Sequence, residues 1–304
     1  MKTAVVTGPT GAVGSALCRK LTENNFKVYA VCRKNSTRTG NVPAEAEIIY
    51  CDLSEINTLP GLIGNADVFY HLAWENTTGA ARNDMLSQTE NIRYTLNAVS
   101  TAAKLKCECF VGAGSQAEYG RHSSPLRPDT PCFPENGYGM AKLCAGQMSR
   151  KLCAQLGIRH IWARILSVYG PNDGKNTLIS SLIRNLPEER DIPLTKGQQL
   201  WDYLFSYDAA TALMLMYFKG KDGAVYPLGS GQIRPLKDYI EEVRRILNGK
   251  ARLDFGKIPY AEDQVMYLGA DTAVLERDLG FRPEYSFTEG IKLTADTLEH
   301  QTRA

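Results

Sequence analysis

The chain opens on a short β-rich run, Thr3-Ala4-Val5-Val6-Thr7, which breaks at once into Gly8-Pro9-Thr10-Gly11-Ala12-Val13-Gly14 before a helical pattern through Leu21. No other stretch restricts the fold so tightly. Glycines three apart, between a strand and a helix, let the backbone approach a pyrophosphate, which then rests on the helix N-terminus. The spacing is Gly-x-x-Gly-x-x-Gly rather than the commoner Gly-x-Gly-x-x-Gly. This first turn therefore predicts a dinucleotide site built from Gly8, Thr10, Gly11, Ala12, Val13 and Gly14.

The pattern that follows agrees. Strands are expected at 27–32, 48–51, 67–73, 108–112 and 159–166, with helices at about 82–104 and 138–156, the latter stopping at Gly157. Alternation of this kind means a parallel sheet with ligands outside the carboxyl ends of its strands. The predicted fold is α/β: a Rossmann-like doubly wound parallel sheet with a smaller C-terminal α+β substrate lobe. After Gly170-Pro171-Asn172-Asp173-Gly174 the segments become irregular, with short helices at 178–186, 208–218 and 236–247, a strand at 224–228 and a last helix from near Thr288. The expected division is a dinucleotide-binding domain over 1–170 and a substrate-binding lobe over 171–304, with 201–228 folding back partly onto the first.

The second strand ends at Cys32-Arg33-Lys34, where such folds often place an acid for the adenosine ribose hydroxyls. No carboxylate stands there, and a guanidinium can pair with a 2′-phosphate, so Arg33 favours NADP, with NAD possible. The alternative is a solvated basic loop tip. Asp52 and Leu53 are expected at the adenine edge. Leu72, Ala73 and Asn91 complete the predicted cofactor contacts.

Several classes are disfavoured. A net charge of +2 argues against a polybasic partner surface for nucleic acid or membrane. The eight cysteines include no C-x-x-C pair, which predicts reduced, buried thiols in a cytoplasmic protein and no metal site. Met1-Lys2 runs straight into an apolar strand, so no signal peptide is expected, and the longest apolar run, 209–218, is too short to span a bilayer.

The chemistry points to Tyr138-Gly139-Met140-Ala141-Lys142. A phenol and an ammonium four apart project from one helix face. The lysine is expected to lower the tyrosine pKa, letting it exchange a proton with an alcohol oxygen while hydride moves at the same carbon. The spacing also arises by chance on surface helices, and its weight comes from its surroundings. Ser115 follows a buried strand at its carboxyl end, either as a site residue or as the cap of the next turn.

Together, residues 7–14, 115–120, 138–142 and 169–171, with Asp202-Tyr203 leading into Tyr207-Asp208-Ala209 and Asp278-Leu279-Gly280-Phe281 before the last helix, resemble the extended short-chain dehydrogenase/reductase family over essentially the full length. The likeness is to its nucleotide-sugar epimerase/dehydratase/reductase branch. It implies that Tyr138 is the acid/base, that Lys142 lowers its pKa and binds the nicotinamide ribose, and that Ser115 hydrogen-bonds the reacting oxygen. It also implies a homodimer through the helices at about 82–104 and 138–156.

Three departures bear on substrate. Dehydratases of the branch carry Asp-Glu after the Ser/Thr, whereas this chain has Gln116-Ala117, with Glu118 one residue further and expected to face differently. Two arginines that usually clamp the substrate diphosphate are replaced by Trp201 and Tyr260. Ser167 replaces the strand-end asparagine before Tyr169-Gly170-Pro171. Substrate contacts are therefore expected from Gln116, Ser167, Trp201 and Arg234, with Lys175, Arg184, Lys196 or Arg234 as substitute cations, unless the substrate is not a diphosphate sugar in the usual pose. The sequence reads as an NAD(P)-dependent oxidoreductase at a sugar hydroxyl or ketone, a nucleotide-sugar 4-ketoreductase. The alternatives are a 4-epimerase with tightly bound NAD and, further off, a catalytically silent dinucleotide sensor.

Overall fold

The computed structural model describes residues 1–188 and 190–303. Strand and helix alternate from the start: β1 (Lys2–Thr7), α1 (Ala12–Glu23), β2 (Phe26–Cys32), β3 (Glu47–Tyr50), β4 (Val68–His71), α2 (Met85–Lys104), β5 (Cys109–Ser115), α3 (Gly137–Leu156) and β6 (Arg159–Ile165). The remainder runs β7 (Ser167–Tyr169), α4 (Leu178–Asn185), β8 (Ile192–Leu194), β9 (Leu200–Phe205), α5 (Ser206–Lys219), β10 (Ala224–Leu228), β11 (Ile233–Pro235), α6 (Leu236–Ile246), β12 (Leu253–Phe255), β13 (Tyr267–Leu268), α7 (Ala273–Leu279) and α8 (Phe287–Arg303).

Seven strands form one sheet in the order β10-β6-β5-β4-β1-β2-β3, every neighbouring pair parallel. Helices cover both faces, so the strands are apolar on both sides rather than alternating: Ala4, Val5 and Val6 are all fully buried. Leu17 and Leu21 of α1 pack with Ala209 and Leu213 of α5 on one face. Ala98, Val99 and Ala102 of α2 pack with Cys153 of α3 on the other. The order reverses between β1 and β4, which opens a crevice at their carboxyl ends.

Small residues bring α3 close to the sheet. A Cβ on Gly112, Gly114 or Gly146 would lie 2.3, 2.3 or 2.7 Å from the Trp162 indole, so the three glycines form the slot that this ring fills. Asn136 caps α3 by accepting from the Gly139 amide at 2.8 Å, and Gly157 ends it at φ +70°.

The second lobe is a four-stranded sheet, β11-β9-β13 with β7 also on β9, beside a β12-β8 pair. Buried Asp202 of β9 ties its loops together, accepting from the amides of Ser230, Gly231 and Ala270 at 2.8–3.1 Å. The short strands β7, β8 and β11–β13 lack a periodic signal and were not expected from sequence. The helix expected from residue 82 begins at Met85 instead. Residues 79–83 form a 3-10 turn, and Asp84 caps α2 through the Ser87 amide at 3.2 Å. Among the described residues no helix is long and apolar enough to cross a membrane.

Candidate active site

The crevice at the strand ends is a cavity of about 730 Å³ whose lining includes Gly8, Thr10, Gly11, Arg33, Leu53, Leu72 and Ala73. Its shape depends on the glycines. Gly8 has φ +70° and lies so near Ala73 that a Cβ would come within 2.9 Å of the Ala73 nitrogen. A Cβ on Gly14 would meet the Gly8 carbonyl oxygen at 2.0 Å, whereas one on Gly11 would meet nothing within 4 Å. Gly11 thus leaves open space at the start of α1, a helix with no side-chain cap. The free N–H groups of its first turn, Ala12 to Gly14, suit an anion. The residues present fit a dinucleotide pyrophosphate. Thr7 joins β1 to β4 beneath the cavity, its Oγ1 accepting from the amides of Leu72 and Ala73 at 3.1 and 3.2 Å.

Two predicted contacts lie behind this lining. The Asp52 carboxylate accepts from the Lys34 amide at 3.2 Å, while Cys51 and Leu53 on either side face the cavity. Asn91 is buried and clamps the Glu75 backbone, accepting from its amide at 2.9 Å and donating to its carbonyl at 3.0 Å. With Gln88, which accepts from the Trp74 indole at 2.9 Å and donates to the Asn76 carbonyl at 2.9 Å, it holds residues 74–78 along the cavity wall. That wall was not foreseen. The available signal was two amide side chains three apart on one helix face.

Ser115 ends β5, and Tyr138 and Lys142 occupy the first turns of α3. Trp74 connects them to the cavity: its ring is edge-on to Tyr138 at 6.1 Å between centroids and lies 3.8 Å from the Lys142 Nζ. Here the lysine departs from expectation. Its amine donates to the Ala113 carbonyl at 2.6 Å and is buried, and desolvation pulls its pKa down to about 7. The phenol is not lowered as predicted. Burial pushes Tyr138 up, against the pull of the Ser115 hydroxyl and of Arg82, whose guanidinium lies 4.7 Å from the ring centroid. Ser115 caps the turn through the Ala117 amide at 3.2 Å while keeping its place beside Tyr138.

Glu118 is turned from the open site as expected, though not by strand alternation. Strand alternation stops at Ser115, and the 3-10 turn that follows folds Glu118 back beneath the site. Fully buried, it accepts from the Ser115 amide at 2.8 Å, the Trp162 indole at 3.0 Å and the Arg164 guanidinium at 2.7 Å.

The predicted substrate residues are not all brought together. Gln116 faces a hollow of about 270 Å³ that Arg82 and Arg121 also line. Ser167 and Trp201 meet each other, the indole donating to the Ser167 hydroxyl at 2.9 Å. The Tyr260 hydroxyl accepts from the Gln198 amide at 3.0 Å. Arg234, offered as a substitute cation, is instead paired with Glu242 at 2.8 Å and stacked 3.9 Å from the Tyr239 ring centroid, on a separate hollow along α6. Arg184 turns to the Lys175 carbonyl.

Fold, glycine cradle and strand-end residues are those of a dinucleotide-binding class. The chain belongs to the NAD dependent epimerase/dehydratase family, whose sequence model matches residues 4–229. It is 25% identical to a putative UDP-glucose 4-epimerase of Methanocaldococcus jannaschii, over 98% of this chain and 99% of that one. It is 24% identical to a dTDP-6-deoxy-L-talose 4-dehydrogenase (NAD(+)) of Aggregatibacter actinomycetemcomitans, over 84% and 94% of the two chains. In fold it is similar to the UDP-glucose 4-epimerase of Thermotoga maritima, with a TM-score of 0.89, 20% identity and 99% of each chain covered.

Proposed function

We propose that this protein is an NADP-preferring oxidoreductase acting at the C4 hydroxyl or ketone of a nucleotide-linked sugar, working as a cytoplasmic homodimer. The observation that carries the reading is the meeting of Tyr138 and Lys142 with Trp74, which lines the cavity at the strand ends, with Ser115 beside the Tyr138 hydroxyl. The bound dinucleotide supplies or takes up hydride. Tyr138 gives or removes the proton of the sugar oxygen, and Ser115 orients that oxygen. Lys142 offers its amine to the nicotinamide ribose, and Gly8, Gly11 and the first turn of α1 hold the pyrophosphate. Arg33, on the cavity with no carboxylate at the same strand end, supports the preference for a 2′-phosphate.

Loss of hydroxyl by dehydration is disfavoured. Gln116 and Ala117 carry no acid, and the Glu118 carboxylate is fully occupied by Ser115, Trp162 and Arg164. A 4-epimerase with retained NAD is the second reading, and what favours it is the likeness to proteins named as 4-epimerases. Native mass spectrometry of the purified protein separates the two. A reductase takes up added NADPH and oxidises it with a 4-keto nucleotide sugar. An epimerase carries NAD from purification and interconverts epimers with none added. No turnover of any UDP-, CDP- or dTDP-sugar, with either cofactor, overturns both and favours a dinucleotide sensor.

A further inference from the structure

We propose that Arg82 is a positioning residue for Tyr138: its guanidinium holds the ring and supplies the positive charge that favours the phenolate. The inference rests on Tyr138 being the acid/base. Arg82 lies over the ring at 4.7 Å, while Trp74 meets the same ring edge-on. A guanidinium on a ring face is attracted by the ring quadrupole and leaves the hydroxyl free for substrate.

The segment carrying Arg82 is docked rather than loose. Asn83 Oδ1 accepts from the Gly137 amide at 2.9 Å, and a Cβ on Gly137 would come within 3.0 Å of the Arg82 carbonyl oxygen. Residues 82 and 83 therefore sit against the first turn of α3, one residue before Tyr138. Among the described residues no carboxylate forms a salt bridge with Arg82.

Few charges face the phenol. From its own helix there is Lys142, whose Nζ stands 5.8 Å from the ring centroid and is engaged by Ala113 and Trp74. From the turn after β5 there is Glu118, matched by Arg164. From the 3-10 turn at 79–83 there is Arg82, and from β5 the neutral Ser115 hydroxyl. Among the described residues Arg82 is the one of these cations that makes no hydrogen bond or ion pair to another acid or carbonyl, and its field opposes the burial that pushes the phenol up.

The test reads Tyr138 directly in the cofactor-free protein, as tyrosinate absorbance relative to the matching Tyr138→Phe protein, and needs no substrate. R82Q moves the titration midpoint to higher pH by about one pH unit, and R82K returns part of that change. R82M keeps the aliphatic stem and gives the same reading if R82Q does not fold. With a turned-over substrate, kcat falls about tenfold in R82Q, while KM and dinucleotide affinity stay near wild type. A midpoint that does not move overturns the proposal, as does a loss confined to KM, which would make Arg82 a substrate contact. Absence of any turnover counts against the proposed function alone, because the titration still decides the role of Arg82.

Discussion

The Lys142 amine donates to the Ala113 carbonyl at 2.6 Å, deep in the protein and under the Trp74 ring rather than out towards solvent. Burial lowers its folded-state pKa to about 7 from 10.5. Between those values the unfolded chain binds the proton and the folded protein does not. Stability attributable to this residue therefore rises with pH across that window, by at most about 1.4 kcal/mol per pH unit. Urea unfolding of wild type and Lys142→Met between pH 6 and 9.5 checks it: the difference should move in favour of wild type as pH climbs above about 7. A difference that is flat with pH contradicts the buried-amine assignment.

Tyr138→Phe removes the proton carrier without touching the glycine cradle. Turnover should fall by about 10²-fold or more, with dinucleotide affinity unchanged by fluorescence titration. A variant keeping most of its activity sinks the acid/base role.

The glycines should separate folding from binding. Gly11→Ala adds a methyl to open space at φ −86°, so its melting temperature should stay at the wild-type value while dinucleotide Kd weakens about tenfold or more. Gly14→Ala drives a Cβ into the Gly8 carbonyl and should cost about 1–3 kcal/mol of stability. Calorimetry beside a binding titration distinguishes them, and equal effects in both would argue against a pyrophosphate at Gly11.

Arg33→Ser should lower the ratio of kcat/KM with NADPH to that with NADH by about tenfold or more, since a charge-assisted contact to a 2′-phosphate is lost. An unaltered ratio returns Arg33 to the status of a solvated loop residue.

Glu118→Gln leaves the Arg164 guanidinium buried without its counter-charge, at a cost of about 3–5 kcal/mol in chemical denaturation. Adding Arg164→Met should recover part of that loss. If the single variant is as stable as wild type, Glu118 is not the anchor of the Ser115 turn.

Much of this was legible along the chain. The Gly8–Gly14 turn, the alternation of strands and helices, and the placement of Ser115 at a strand end follow from short-range rules of backbone geometry. Arg82 was not legible. Its segment matters only because Asn83 docks on Gly137, 54 residues away in sequence. Glu118 faces differently as expected, but the reason was not legible: alternation holds only while a strand continues, this one stops at Ser115, and the turn after it folds the carboxylate inwards. Arg234 was misread because nothing in its spacing announces Glu242 or the Tyr239 ring.

By itself the sequence determined which residues share a face and where the backbone can approach an anion, since both depend on neighbours a few positions apart. Only the tertiary structure decided the electrical state of the candidate site. Whether an amine four residues from a phenol is charged depends on the water, carbonyls and rings around it. Here a carbonyl from β5, an indole after β4 and a guanidinium from the turn before α2 set those surroundings.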